Sequence, residues 1–197
     1  DAMEADLDGI LSSFAGYSGP YKLIANLPYN ITTPLIMRLL KGWFNISLFV
    51  MMVQREVAGR ITASPGGREY GSLSVAVQYY TQAEYLFRVP RTVFIPRPEV
   101  DSAVIRLSRR NQPAVIVPDE NLFFKVVRGS FGQRRKTLLN ALGSAFSHIP
   151  RPKLGRLLEA AGIDPNRRGE TLSLDEFAGI AREIHIFNNS ADLEPPD

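Results

Sequence analysis

Four consecutive residues, Asn26-Leu27-Pro28-Tyr29, bring together an amide, a proline-restricted backbone and an aromatic ring. They follow the apolar run Tyr21-Lys22-Leu23-Ile24-Ala25, which reads as a buried strand, and precede a polar turn and a helix-like stretch from Thr33. A strand ending this way suits methylation of an exocyclic amine on a nucleobase. Such an amine is a poor nucleophile, because its lone pair is delocalised into the ring. Hydrogen-bond acceptors around it favour a more tetrahedral nitrogen. The Asn26 side-chain oxygen supplies one acceptor, and a backbone carbonyl beside the proline can supply another. The Tyr29 ring gives the base a face to stack on. The competing reading is a plain strand-to-turn junction, since Asn and Pro both favour turns.

The surrounding elements decide where such a motif would sit. Leu35, Ile36, Leu39 and Leu40 recur at helical spacing between Thr33 and Trp43, with Pro34 allowed in the first turn. Ser47 to Val53 is a continuous apolar run of strand length, as expected for a central parallel strand. Residues 7–14 predict a short helix or loop, 54–62 a short helix, 64–67 a loop and 72–80 a helix. Strands are predicted at 83–89 and 100–107. From Asp119 onward strand signals stop. Helical periods predict helices near 119–130, 135–146, 151–161 and 173–186, the last with a capping-box pair at Ser173 and Glu176. The expected organisation is an α/β part with a mostly parallel sheet over residues 1–112 and a small all-helical domain over 113–190. Residues 191–197 predict a flexible tail. In an open α/β sheet ligands bind at the carboxyl ends of strands, which is where Asn26-Leu27-Pro28-Tyr29 falls.

The 197 residues are 45% hydrophobic and 22% charged, ordinary for a protein able to build a core. No cysteine is present, which excludes disulfides, thiolate zinc sites and cysteine nucleophiles. His148 and His185 share no metal-ligand spacing, so no metal site is expected. No apolar run reaches the length of a membrane span, and the acidic start Asp1-Ala2-Met3-Glu4-Ala5-Asp6 does not resemble a signal peptide. A cytoplasmic protein is expected. The net charge is +3 and the pI about 9.3. Basic residues cluster at Arg109-Arg110, Arg134-Arg135-Lys136, Arg151-Pro152-Lys153 and Arg167-Arg168. Such clusters fit a phosphate-tracking surface, although solvated helix faces give the same pattern.

Further segments occur in a fixed order around the first motif. They are Gln54-Arg55-Glu56-Val57-Ala58-Gly59-Arg60, Tyr70-Gly71-Ser72-Leu73-Ser74-Val75, Phe94-Ile95-Pro96-Arg97-Pro98-Glu99-Val100-Asp101-Ser102-Ala103-Val104 and Ser130-Phe131-Gly132-Gln133-Arg134-Arg135-Lys136-Thr137-Leu138. Together with Asn26-Leu27-Pro28-Tyr29 they closely resemble the KsgA family of ribosomal-RNA adenine dimethyltransferases, from residue 1 to about residue 186. The resemblance implies a Rossmann-like class I methyltransferase sheet followed by a helical domain. It implies S-adenosylmethionine as donor and S-adenosylhomocysteine as product. The implied acceptors are two adjacent adenines near the 3′ end of small-subunit rRNA, each dimethylated on its exocyclic nitrogen.

On this resemblance Asn26 holds the amine, Leu27 and Pro28 offer main-chain carbonyls, and Tyr29 and Phe94 close on the two faces of the extruded adenine. Asp1 and Asn26 are the implied donor contacts, Asp1 toward the adenine of the cofactor. Arg134, Arg135 and Lys136 are the first choice for the rRNA backbone, by charge and by place. Arg97 and Arg55 come second, Arg55 with a competing reading as an ion pair with Glu56. No general base stands out, and positioning with electrostatics is the expected source of rate.

The family's donor site opens with a Gly-rich turn after a first strand and an acidic residue after a second, and neither is found here. The chain is therefore expected to start partway into the methyltransferase domain, after two or three strand–helix units, on the order of 80 residues at ~30 per unit. An exposed sheet edge and apolar face, and inactivity of the chain by itself, are the matching expectations. Two other readings stay open: a non-catalytic RNA-binding or ribosome-assembly module, and a DNA adenine methyltransferase, whose related motif usually carries Pro where Leu27 stands. The other motifs favour RNA over DNA. A monomer acting on small-subunit rRNA, with no membrane partner, is the default.

Overall fold

A computed structural model describes residues 1–42 and 44–191. Trp43 and the expected tail beyond Ala191 lie outside the described residues. By their packing the residues form two compact units. One holds Asp1–Ala63 with Ala76–Pro113, and the other holds Ser64–Val75 with the chain from Ala114 onward. Ser64–Val75, expected in the α/β part, groups with the helices instead.

The first unit opens with helix α1 (Leu7–Ala15). Asp6 caps it by accepting from the Gly9 amide, and Gly16 ends it in the left-handed region at φ 59°. Strand β1 (Tyr21–Asn26) leads to helix α2 (Thr32–Lys41), then strand β2 (Ile46–Gln54) and helix α3 (Arg55–Thr62). Helix α4 (Ser72–Tyr80), which has residues in both units, precedes strand β3 (Thr81–Val89), and strand β4 (Ser102–Arg109) completes the sheet.

The sheet order is β1-β2-β4-β3. β1 and β2 pair in parallel, whereas β4 pairs antiparallel with both β2 and β3. The expectation of a mostly parallel sheet is therefore corrected. Strands β1, β2 and β3 run the same way, but the ladders include two antiparallel pairs because β4 is inserted between β2 and β3. The physical reason is the connection. A parallel pair needs a crossover long enough to hold a helix, and Pro90–Asp101 carries only a single 3-10 turn at Arg91–Val93.

Alternation along the central strands defines the core. Phe49, Met51 and Val53 of β2 and Ala103, Ile105 and Leu107 of β4 are buried on one face. Leu35, Ile36, Leu39 and Leu40 of α2 are buried as well, each worth about 1.5–3 kcal/mol when fully removed from water. Arg109 closes the C-terminal end of α2. Its Nη2 donates to the Leu39 and Leu40 carbonyls at 2.9 and 3.3 Å, and its guanidinium lies 5.9 Å from the Phe49 ring centre. A cation there satisfies orphan carbonyls and opposes the helix dipole, while burial lowers its pKa.

The second unit is helical: α5 (Glu120–Gly132), α6 (Leu138–Ala145), α7 (Arg151–Ala160) and α8 (Leu174–Ala191). Phe123, Val126, Leu142, Phe146, Leu158 and Phe177 form its interior. The predicted capping box is present: the Glu176 amide donates to Ser173 Oγ at 3.2 Å and the Ser173 amide to Glu176 Oε2 at 2.8 Å. Tyr70 explains why Ser64–Val75 packs here. Its ring is buried edge-on against Phe131 and its hydroxyl donates to the Leu172 carbonyl at 3.0 Å. Burial pushes that hydroxyl's pKa up to about 12.

Candidate active site

Parallel pairing puts the ends of β1 and β2 at one edge, with Asn26 opposite Met52. The antiparallel register brings the start of β4 to the same edge, because Ser102 pairs with Gln54 on one side and Val89 on the other. Three chain segments distant in sequence therefore share this rim.

Each residue of the first motif has a separate structural role. Asn26 ends β1 with its side chain exposed. Leu27 is the anchor, only 5% exposed, and its amide extends the ladder to the Met52 carbonyl at 3.1 Å. The Pro28 carbonyl accepts from Thr32 Oγ1 at 2.8 Å and from the Ile31 amide at 3.3 Å, so it is consumed in starting α2. That corrects the expectation that both carbonyls are offered to an amine. Among the described residues no hydrogen bond reaches the Leu27 carbonyl, and it is the acceptor left beside Asn26. The Tyr29 hydroxyl shares a 2.6 Å hydrogen bond with buried Ser102 Oγ, which ties the ring to β4.

Phe94 comes to the same place from the Pro90–Asp101 loop. Asn26, Leu27, Pro28 and Tyr29 with Phe94, Pro96 and Pro98 line an open pocket of about 330 Å³, within the range of small-molecule sites. The loop is fixed by Asp101, to which the sequence reading gave no role. Its carboxylate accepts from the Arg91 amide at 3.0 Å and pairs with Arg88 at 2.7 Å, while its carbonyl accepts from the Arg55 amide at 2.9 Å. The Arg91 amide, helped by Arg88, holds the Asp101 carboxyl below its ordinary pKa. An Asp ten residues past an Arg and just before a strand is the signal that was available in the sequence.

Arg55 and Arg97 are exposed beside this loop. The alternative pairing of Arg55 with Glu56 is not seen; Glu56 pairs with Arg60 one helical turn away at 3.6 Å. Asp1 sits on an exposed turn, where its carboxylate accepts from the Met3 amide at 2.8 Å. Arg38 of α2 pins that turn through the Ala2 and Ala5 carbonyls at 3.2 and 2.8 Å. Asp1 is not among the residues lining the Asn26 pocket. A carboxylate and an amide are the kinds of group that S-adenosylmethionine could use, and of these two expected donor contacts this pocket holds only the amide of Asn26.

In the helical unit Arg134, Arg135 and Lys136 form a turn between α5 and α6, not the start of a helix at 135. α6 begins at Leu138 because its first amides are taken by another loop: Leu138 donates to the Arg167 carbonyl at 2.7 Å and Leu139 to the Pro165 carbonyl at 3.1 Å. Arg134 is committed internally, to the Arg68 and Tyr70 carbonyls and to Glu170 at 3.3 Å. Arg135 and Lys136 are exposed, with no side-chain hydrogen bond among the described residues.

No helix among the described residues is long and apolar enough to cross a membrane. Two solved structures share the fold at low identity. A dimethyladenosine transferase from Plasmodium falciparum matches with TM-score 0.70 and 23% identity, over 87% of this chain and 68% of that one. The 23S rRNA methyltransferase ErmE matches with TM-score 0.65 and 21% identity, over 94% of this chain and 70% of that one. The architecture is accordingly an α/β Rossmann-like sheet with a helical C-terminal part. Curated relatives are much nearer in sequence. The chain is 54% identical to ribosomal RNA small subunit methyltransferase A of Moorella thermoacetica, over 93% of this chain and 65% of the relative. It is 56% identical to the protein of that name from Pelotomaculum thermopropionicum, over 92% of this chain and 63% of the relative. The Bacillus mycoides protein is 50% identical, over 96% and 66%. The chain thus spans about two thirds of the length of these relatives. The family model for ribosomal RNA adenine dimethylase matches residues 1–185, and the chain belongs to that family.

Proposed function

We propose that this chain carries the acceptor site of an S-adenosylmethionine-dependent rRNA adenine dimethyltransferase, acting on two adjacent adenines of small-subunit rRNA in the cytoplasm as a monomer. The observation that carries the reading is the pocket in which Asn26 and Tyr29 of one motif meet Phe94 of a distant loop. An extruded adenine stacks between the Tyr29 and Phe94 rings. Its amine donates one N–H to Asn26 Oδ1 and the other to the Leu27 carbonyl. The Leu27 carbonyl is fixed before the base arrives, by the burial of its residue and the bond of its amide to β2, so it needs no reorganisation as charge develops. The two acceptors draw the amine toward a tetrahedral geometry and expose its lone pair. The donor, when bound, supplies an electrophilic methyl on a sulfonium. The amine's proton becomes acidic as the new bond forms and leaves to water, so no strong base is required. Asp1 is the proposed contact to the donor's adenine. Arg135, Lys136 and Arg97 contact the rRNA backbone, with Arg134 holding the turn that presents the first two.

The test is transfer of labelled methyl from S-adenosylmethionine to unmethylated small ribosomal subunits. It is run with this chain and with a form extended N-terminally to the length of the relatives. Transfer by the extended form, lost on Asn26→Ala with subunit binding retained, is the expected result. Binding without transfer in every form would replace the enzyme by an assembly module.

A further inference from the structure

The Pro90–Asp101 loop has two faces. Phe94, Pro96 and Pro98 line the Asn26 pocket. Arg97 and Glu99, which alternate with those prolines, line a second pocket of about 530 Å³ together with Arg55, Arg88, Arg91 and Asp101. One strip of backbone therefore separates an aromatic pocket from an arginine-rich one.

The charges in the second pocket are not evenly engaged. Asp101 is taken by Arg88 and by the Arg91 amide, and Glu56, also in its lining, pairs with Arg60. Arg91 Nη1 donates to the Glu99 carbonyl at 2.8 Å. The guanidiniums of Arg55 and Arg97 make no hydrogen bond among the described residues, and both side chains are exposed to the cavity. The lining holds four guanidiniums (Arg55, Arg88, Arg91, Arg97) against three carboxylates (Glu56, Glu99, Asp101), an excess of one positive charge, and Glu56 is drawn off by Arg60 outside the lining. Arg55 also opens α3, whose N-cap Gln54 makes no side-chain capping bond, so the positive end of that helix faces the same space.

We propose that this second pocket binds an RNA phosphate next to the nucleotide whose base enters the Asn26 pocket, with Arg55 and Arg97 as its two donors. The inference rests on the nucleobase reading above. The guanidinium fork matches phosphate oxygens in pairs, and the weak hydration of the group lowers the cost of bringing it to an anion. Single-stranded nucleic acid sites join a stacking platform to a cationic track for the backbone. Here the two parts are the two faces of one loop, so a nucleotide held by its base on one face has its flanking phosphate on the other. The consequence is register as well as affinity: the clamp fixes which nucleotide along the strand can reach Asn26.

The experiment uses this chain and a short single-stranded RNA with two adjacent adenines, one replaced by fluorescent 2-aminopurine. Two further RNAs carry a single neutral methylphosphonate, at the linkage on either side of the 2-aminopurine. Affinity is measured by fluorescence anisotropy over a range of salt. Arg55→Gln and Arg97→Gln should each weaken binding roughly tenfold, and the double variant should reduce the salt slope by about 0.7. Arg97→Lys should keep the slope without the full affinity. On one of the two neutral-linkage RNAs the wild type and the Gln variants should bind alike. The site is overturned if the Gln variants bind as the wild type does, or if their deficit persists on both neutral RNAs. Stacking is read separately, from 2-aminopurine quenching that Tyr29→Ala removes. Wild-type quenching with no arginine effect overturns the phosphate site alone. An arginine effect without wild-type quenching overturns the nucleobase reading, and with it the adjacency proposed here.

Discussion

Two turns of this molecule carry the residues that look most chemical, and they are built in opposite ways. In Asn26-Leu27-Pro28-Tyr29 most groups are committed to structure, and one amide and one carbonyl are left open. Leu27 is buried, the Pro28 carbonyl starts a helix and the Tyr29 hydroxyl is tied to Ser102, while the Asn26 side chain and the Leu27 carbonyl stay available. In Arg134-Arg135-Lys136 the most strongly held group is itself a cation. Arg134 braces the Ser64–Val75 segment, and only Arg135 and Lys136 face solvent unengaged. A catalytic acceptor gains from rigid neighbours, because its hydrogen bonds must be aimed in advance. A phosphate contact tolerates looseness, because charge acts over several ångströms and screening sets its reach.

The sharpest way to break this comparison is Asn26→Ala in a form competent for transfer. We expect a fall in methyl transfer of roughly 10²–10³-fold, the scale of losing one preorganised hydrogen-bonding group, with RNA affinity nearly unchanged. A parallel loss of affinity would make Asn26 a binding residue and erase the contrast. Next in size is the split between neighbouring arginines. Arg134→Ala should cost about 1–2 kcal/mol of stability, read by thermal unfolding, since it strips partners from two carbonyls but is itself partly solvated. Arg135→Ala should stay within about 0.5 kcal/mol of the parent and instead weaken RNA binding in a salt-dependent way. Equal destabilisation by both would show that the whole turn is structural.

Smaller effects probe the supports of the pocket. Tyr29→Phe removes the hydroxyl bound to Ser102 and should cost about 1 kcal/mol, while retaining most of the transfer because the stacking face is intact. Last is the acid response of the Phe94 loop. The Asp101 pKa is depressed in the folded chain, so its contribution is fully present above the ordinary value of about 3.9 and fades as pH falls through the depressed one. Amide exchange in 90–101 should therefore be indifferent to pH from neutrality to about 5, after correction for intrinsic rates, and accelerate only below about pH 4. Loss of protection already near neutrality would remove Asp101 as the fastener.

Much of this was legible because it depends on local rules. Periodicity located the helices and strands. The Ser173–Glu176 spacing marked a helix start that the hydrogen bonds bear out. The sheet ladders were less legible. The apolar run of β2 reads the same whether its partners are parallel or antiparallel, and only the short β3–β4 connection makes β4 run backwards. Arginine roles were the least legible. Arg88, Arg109 and Arg134 are fasteners, while Arg55, Arg97 and Arg135 are open, and no neighbour in sequence distinguishes them.

By itself, then, the sequence determined which segments are helix or strand, that an amide and an aromatic end a strand together, and where positive charge accumulates, because each follows from residues within a few positions of one another. The tertiary structure alone decided that Phe94 meets Tyr29, that Asp101 secures their loop, that the Leu27 carbonyl and not that of Pro28 is left to accept, and which arginines remain open. Those outcomes depend on groups brought together from distant parts of the chain, where a long, multi-donor side chain or a carbonyl is claimed by whichever partner the packing delivers.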